Sequence, residues 1–167
     1  TSKKIQSQYL TKIYEGINLK RPMKVTIDCG NGAAGICAEE LFKGLNLKVE
    51  TLFGEVDGYF PNHHPDPSNP SNLIDLQKNL ARTDSEIGLA FDGDADRLGV
   101  VTKSGEIIYP DRQLLLFSEW VLKENPGATI IFDVKSTRHL FQLIRDKGGT
   151  PLIWKTGHSL IKAKMKE

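Results

Sequence analysis

Short apolar runs alternate with helical patterns along the first hundred residues, and this alternation restricts the chain to the α/β class. Val25–Ile27 has the composition of a strand, and Ala38–Leu45 spaces its apolar residues as an amphipathic helix does. A second strand at Leu47–Leu52 completes a βαβ unit, which predicts a parallel sheet. The alternation continues with a helix from about Leu73 to Ala81 and a strand at Ile87–Phe91.

A hairpin and a second round of alternation follow. Leu98–Thr102 and Glu106–Tyr109 flank a Lys-Ser-Gly turn and predict a hairpin, and the pattern restarts after Pro110. We therefore expect a seam near 105–110, with one complete α/β domain before it and the first part of a second after it. The second round comprises a strand at Thr129–Val134, a helix at Thr137–Lys147 and a strand at Leu152–Trp154.

Two further helices are predicted from spacing and capping signals. The chain opens with apolar residues four apart at Ile5, Tyr9, Ile13 and Ile17, which share one face of a helix. Asp111 is positioned to cap the helix that follows Pro110. A final helical run stops without a capping signal, so we expect the chain to be a piece of a longer protein.

Composition excludes several classes of partner. Lys plus Arg total 22 against 21 for Asp plus Glu, a net charge of +1, so neither a nucleic-acid nor a membrane-surface partner is expected. The longest apolar run, Leu114–Phe117, is far short of the roughly 20 residues that span a bilayer. No secretory leader is visible. Cys29 and Cys37 are too few for a disulfide scaffold, and we expect buried thiols in a reducing cytoplasm.

The most informative motif is Asp92-Gly-Asp-Ala-Asp-Arg97, directly after an apolar strand. Carboxylates at Asp92, Asp94 and Asp96 repel one another unless a cation lies among them, and oxygen-only ligands favour Mg²⁺. Arg97 adds the positive charge that a phosphate-handling site needs. An EF-hand is excluded, because its sixth and twelfth positions hold Arg97 and Lys103 instead of Gly and Glu. A solvated acidic turn without a ligand remains an alternative.

The turn Gly30–Gly35 suggests a different function. It matches the dinucleotide-binding fingerprint between a strand and a helix, and Glu50 lies where an acid would bind ribose. The same glycines also suit a tight turn with no ligand. The two interpretations stay open at this point.

Two other segments are candidates for positioning or binding. The stretch Asn62–Pro67 contains adjacent His63 and His64 among prolines, and we interpret the histidines as structural residues of a rigid loop. Farther along, Lys135 and His158 follow neighbouring predicted strands and are expected to face one ligand. Ser159 is a plausible N-cap of the last helix, where exposed amides favour an anion.

Three segments resemble the α-D-phosphohexomutases, in particular the bacterial phosphomannomutase/phosphoglucomutase subgroup. They are Gly58–Pro67, Phe91–Arg97 and Trp154–Ser159, and the likeness covers essentially the whole chain. The resemblance implies four domains around a cleft and a phosphoserine that exchanges phosphate with a sugar phosphate. The reaction interconverts hexose 1-phosphate and 6-phosphate through hexose 1,6-bisphosphate. It also implies a cytoplasmic enzyme.

The resemblance assigns places and roles within this chain. Residues 1–106 would form the second domain, a three-layer α/β/α domain with a mixed sheet, and 107–167 the beginning of a similar third domain. The three aspartates would bind Mg²⁺, Arg97 would lie near the transferring phosphoryl group, and a third-domain set would line the sugar-phosphate cleft. That set is Lys135, Thr156, Gly157 and His158.

The chain also departs from the family pattern. Ala95 stands where many members have Gly. The phosphorylated Ser-His-Asn-Pro stretch, the sugar-gripping Gly-Glu-Met-Ser-Gly-His type loop and the first and fourth domains are missing, so we expect the chain alone to be inactive. A dinucleotide-binding module using Gly30–Gly35 and a non-catalytic cation-binding domain remain the alternative functions.

Overall fold

The computed structural model describes residues 5–167 and divides into two compact units, the first ending at Ile108 and the second comprising Tyr109–Glu167. The helices are α1 (Gln6–Tyr14), α2 (Ala38–Gly44), α3 (Ile74–Arg82), α4 (Pro110–Glu124), α5 (His139–Asp146) and α6 (His158–Lys164). The strands are β1 (Lys24–Asp28), β2 (Lys48–Leu52), β3 (Ile87–Phe91), β4 (Leu98–Thr102), β5 (Ile107–Ile108), β6 (Thr129–Phe132) and β7 (Thr150–Ile153).

The first unit contains a five-stranded mixed sheet in the order β2-β1-β3-β4-β5. β1 pairs in parallel with β2 and β3, whereas β4 pairs antiparallel with β3 and β5. Because β1 and β3 run in parallel, their carboxyl ends lie at the same edge of the sheet, and Asp28 pairs with Ala90 there. The predicted α/β class and mixed sheet are confirmed.

Two apolar clusters cover opposite faces of this sheet. Val25 and Ile27 of β1 pack in the cluster that includes Ala38 of α2. The alternate residue Thr26 instead bonds through its hydroxyl to Asn79 of α3, at 2.9 Å. Because successive side chains of a strand point to opposite faces, this pattern places α2 and α3 in different layers. Leu73, Leu76 and Leu80 form the second cluster with Ala90 and Val101.

The second unit has a two-stranded parallel sheet of β6 and β7. Its core consists of Leu122, Phe132, Leu140 and Ile144, all buried. Membrane-spanning helices need about 20 apolar residues, and α4, with 15 residues, is the longest helix described in residues 5–167. None of the described helices therefore meets that requirement.

Several predicted details were wrong. α1 ends at Tyr14, so Ile17 lies beyond it, and its buried residue is Leu10, while Tyr9 is exposed. Asp111 does not cap α4, because Pro110 is its first residue and the Asp111 carboxylate instead accepts a hydrogen bond from the amide of Thr137. Ser159 is the second residue of α6, which begins after Gly157.

Candidate metal centre

Asp92 is the buried anchor of the acidic loop. Its side chain is 1% exposed, and the Arg97 backbone amide and Nε donate to its two carboxylate oxygens at 2.9 and 2.7 Å. Burial alone would raise the pKa of Asp92, but these hydrogen bonds and the guanidinium charge hold the pKa below its ordinary value. Asp92 is therefore ionised and oriented before any ligand arrives.

The other two carboxylates extend from the same turn into solvent. Oxygens of Asp92, Asp94 and Asp96 all lie within 4.8 Å of one another, with Asp94 and Asp96 exposed. Ala95, between the two exposed aspartates, has φ +63°, and its amide donates to the Asp92 carbonyl at 3.1 Å. This tight turn brings together three hard oxygen donors, a set that fits Mg²⁺.

Arg97 also reaches beyond the acidic loop. One of its terminal nitrogens lies 3.4 Å from Asp66 Oδ1, and Nε lies 3.8 Å from Asp96 Oδ1. The hydrogen bond to Asp92 is the main reason that the pKa of Arg97 is raised. The guanidinium is thus held beside the carboxylate cluster while remaining 60% exposed.

The glycine-rich turn after β1 packs against the acidic loop. A methyl group on Gly32 would lie 2.8 Å from the Gly93 carbonyl oxygen, so only glycine permits this close approach. The Ala33 amide donates to the same oxygen at 2.9 Å. A dinucleotide bound at this turn would need the Ala33 amide for its pyrophosphate, but this amide already has a hydrogen-bond partner within the protein.

Glu50 also differs from the dinucleotide-binding pattern. It is the central residue of β2 and accepts a hydrogen bond from Asn79 Nδ2 at 2.6 Å. A ribose-binding acid lies instead at the end of its strand. The turn and Glu50 thus both have structural roles, which favours the tight-turn interpretation of Gly30–Gly35.

The Asn62–Pro67 stretch lies against the same turn. Asn62 donates to Asn31 Oδ1 at 2.8 Å, and His63 Nε2 faces the buried Asp28 carboxylate at 3.1 and 3.2 Å. His64 is exposed, so the two histidines point to different environments, consistent with structural roles. Sequence reasoning missed Asp28 and Asp66 as partners of these segments, although Asp28 precedes the glycine-rich turn and Asp66 lies within the Asn62–Pro67 stretch.

In the second unit, two of the predicted ligand-binding residues meet at one carboxylate. Thr156 donates through its hydroxyl to Asp133 Oδ2 at 3.0 Å, and Lys135 Nζ lies 3.7 Å from the same oxygen. Gly157 precedes α6 with φ +139°, and the exposed His158 is its first residue. Asp133 was missed, although its position directly after a strand and two residues before Lys135 could have indicated it.

A pocket of about 530 Å³ adjoins this cluster. Lys135 and Asp133 line it together with apolar residues such as Ile131 and Ile161. The pocket offers one cationic group, the two carboxylates of Asp111 and Asp133, and an apolar wall, all contributed by the second unit.

The fold and the acidic loop together define an α/β domain that presents a cluster of three carboxylates and an arginine at the carboxyl edge of its sheet. Two family models cover this chain. The phosphoglucomutase/phosphomannomutase alpha/beta/alpha domain II matches residues 7–105, and the corresponding domain III matches residues 109–167. The chain belongs to the phosphoglucomutase/phosphomannomutase family.

Individual relatives agree with the family models. The chain is 60% identical over 167 residues to a phosphoglucomutase of Neisseria meningitidis, covering 100% of this chain and 36% of that protein. It is 56% identical over 163 residues to a phosphomannomutase/phosphoglucomutase of Pseudomonas aeruginosa, covering 98% of this chain and 35% of that protein. The chain therefore spans little more than a third of the length of these relatives.

Solved structures show the same fold. A crystal structure of a phosphoglucomutase/phosphomannomutase family protein from Burkholderia thailandensis superposes with a TM-score of 0.94 at 59% identity, over 97% of this chain and 35% of that chain. A phosphomannomutase-like structure from Thermus thermophilus superposes with a TM-score of 0.83 at 23% identity, over 97% of this chain and 38% of the other. The second likeness concerns the fold alone.

Proposed function

We propose that this chain is the second domain and the beginning of the third domain of a phosphohexomutase. The parent enzyme would interconvert hexose 1-phosphate and 6-phosphate, with mannose or glucose phosphates and hexose 1,6-bisphosphate as ligands. The observation that carries this proposal is the acidic loop, in which three carboxylates lie within 4.8 Å of one another in a chain of this family. The chain supplies the metal loop and part of the substrate wall, without a phosphoryl donor, and is inactive alone.

In the first unit, Asp92, Asp94 and Asp96 would hold Mg²⁺. The bound ion supplies Lewis-acid neutralisation of phosphoryl charge. Arg97 contributes a fixed positive charge beside the loop, because Asp92 and Asp66 orient its guanidinium. Phosphoryl transfer depends mainly on such positioning and charge stabilisation, so this arrangement suits it.

In the second unit, a cation, a hydroxyl and an N-terminal helix turn are available for the sugar phosphate. Lys135 would pair with the phosphate, and Thr156, Gly157 and His158 would contact the sugar phosphate near the start of α6. The Asp133 carboxylate contacts both Lys135 and Thr156, which keeps the two side chains together.

Metal binding by the chain itself tests the acidic loop. Titration of the ¹³C-labelled chain with Mg²⁺ should shift the side-chain carboxyl resonances of Asp92, Asp94 and Asp96. Asp94→Asn should weaken binding by at least roughly ten- to hundredfold, the usual effect of losing even an outer partner of a metal site. Asp94 is the better target because it is exposed, whereas Asp92 supports the loop.

Asp84→Asn is the matched control, since Asp84 is an exposed aspartate that precedes β3, at the opposite end of that strand from the acidic loop, and pairs with Lys24. It should bind Mg²⁺ as the wild type does. Equal affinities in the wild type and Asp94→Asn would refute the metal assignment. The chain should also fail to turn over glucose 1-phosphate, and turnover at a rate unaffected by Asp94→Asn would refute both the inactivity and the site.

A further inference from the structure

His63 lies between two hydrogen-bond acceptors. Its Nδ1 is 3.0 Å from the His64 carbonyl oxygen, and its Nε2 is 3.1 and 3.2 Å from the two carboxylate oxygens of Asp28. A carbonyl and an ionised carboxylate can only accept, so each ring nitrogen must carry a hydrogen to satisfy both contacts. The geometry therefore requires an imidazolium opposite the Asp28 carboxylate, or one proton shared between the two side chains.

This pair is shielded from solvent. The side chain of Asp28 is 1% exposed and that of His63 is 14% exposed. The Phe53 and His63 rings pack edge to face, with centroids 5.2 Å apart. Burial is the main reason that the pKa of Asp28 is raised, Asp75 raises it further, and the charge of His63 opposes both. An unpaired charge at this position would be costly, so each partner depends on the other.

The pair is connected to the acidic loop through the glycine-rich turn. Asp28 Oδ1 also accepts a hydrogen bond from the Gly30 amide at 2.9 Å. A methyl group on Gly30 would lie 3.3 Å from His63 Cε1, so the ring packs directly on the turn. Two residues farther along, Gly32 and the Ala33 amide contact the Gly93 carbonyl. The connection consists of these contacts and of the short backbone segment from Gly30 to Gly32, and all of its residues are buried or half-buried.

We infer that His63 is a positioning residue for the metal loop, and that it acts as a charged clamp on Asp28. The inference rests on the proposed metal function. When the ring loses its second hydrogen, the Nε2 lone pair faces two carboxylate oxygens, the contact becomes repulsive, and the Gly30 turn is released. Support for Gly93 then weakens, and the affinity of the loop for Mg²⁺ falls. Besides His63, the charged group that acts on Asp28 is Asp75.

Substitution of Asp28 distinguishes this clamp from simple packing. In Asp28→Asn the amide oxygen can still accept from Gly30, and the amide nitrogen can donate to the Nε2 of a neutral ring. The contact then no longer depends on a proton. Mg²⁺ affinity in the wild type should fall by roughly tenfold when the pH is raised until the ring loses its second hydrogen. In Asp28→Asn the Mg²⁺ affinity should not change with pH. In His64→Gln it should change with pH as it does in the wild type.

Two readouts without metal complete the test. Ring ¹⁵N shifts of the folded chain should show a hydrogen on both His63 nitrogens, or one proton shared with Asp28. Hydrogen exchange of the Ala33 amide should be faster in His63→Gln and unchanged in His64→Gln, with the rest of the amide spectrum as the measure of an intact fold. A bare Nε2 opposite ionised Asp28, or identical pH profiles for wild type and Asp28→Asn, would overturn the clamp.

The two proposals fail in different ways. If the wild type binds no Mg²⁺ but Ala33 exchanges faster in His63→Gln, the metal site is wrong and the clamp on the turn stands. If Mg²⁺ binds and neither the pH profile nor Ala33 exchange responds to these substitutions, the metal site stands and the clamp is wrong.

Discussion

Gly32→Ala should destabilise the first unit through a collision with the acidic loop. Gly32 has φ −88° and ψ −171°, which alanine adopts freely, so the effect is purely steric. The added methyl group would lie 2.8 Å from the Gly93 oxygen and 3.1 Å from its Cα. Both atoms are backbone, so the loop must move by about 0.6 Å to restore ordinary contact at 3.4 Å.

The magnitude follows from two contributions. Overpacking of this kind typically costs about 1–3 kcal/mol, and the shift would also break the 2.9 Å hydrogen bond from the Ala33 amide to Gly93, worth about 1 kcal/mol. We expect the free energy of unfolding of the first unit to fall by about 2–4 kcal/mol. This is a large fraction of the roughly 5–15 kcal/mol that stabilises a typical domain.

Urea unfolding, monitored by NMR, measures this change in the free energy of unfolding. Methyl signals of the buried Ile27 and Val101 report on the first unit. Fluorescence reports on the second, because the chain's two tryptophans, Trp120 and Trp154, both lie there. The urea midpoint of the Ile27 and Val101 signals should decrease in the variant.

Gly58→Ala is the matched control, since no atom lies within 4 Å of a methyl group placed there. Its effect should stay within about 0.5 kcal/mol, as for ordinary surface substitutions. If Gly32→Ala is as mild as this control, then the close approach of the turn to Gly93 does not support the loop, and the reasoning is refuted.

Three other predictions concern strain, reactivity and packing. Ala95→Gly should raise the free energy of unfolding by up to about 1 kcal/mol in urea titrations, because Ala95 has φ +63°, while Gly105→Ala, at φ +84°, should lower it. Iodoacetamide should add one carbamidomethyl group to the native chain, on Cys37, because Cys29 is buried and burial raises its pKa to about 12. Mass spectrometry counts the added groups. Leu140→Ala should cost about 2–5 kcal/mol, seen in the tryptophan unfolding curve, because its side chain is fully buried.

Local patterns were sufficient for most secondary structure in the part of the chain that the structure describes. The strand Ile87–Phe91 was predicted with the ends that β3 has, because an apolar run bounded by polar residues needs no distant information. The strand predicted through Val134 ends instead at Phe132. Asp133 Oδ1 accepts a hydrogen bond from the Lys135 amide, and this local turn ends the strand before the exposed Val134. A side-chain hydrogen bond of this kind competes with strand pairing and is not visible in an apolar pattern.

The convergence of the three carboxylates could be predicted for the same reason. Asp92, Asp94 and Asp96 lie within five residues, so their convergence depends on one turn. The spacing alone could not show that Asp92 is buried and paired with Arg97 while the other two carboxylates face solvent. That division of roles comes from the packing of the loop against the sheet edge.

The sequence by itself determined the fold class, the family resemblance and the acidic loop, because each depends on residues close together in the chain. Only the tertiary structure decided what the Gly30–Gly35 turn does. The fingerprint left a dinucleotide site open as an alternative until the β1–β3 register brought Asp28 beside Ala90 and the turn against Gly93. Asp28 and His63 are distant in sequence, and they meet only because the sheet and the Asn62–Pro67 stretch enclose them. Contacts of this kind depend on long-range packing, which no local pattern encodes.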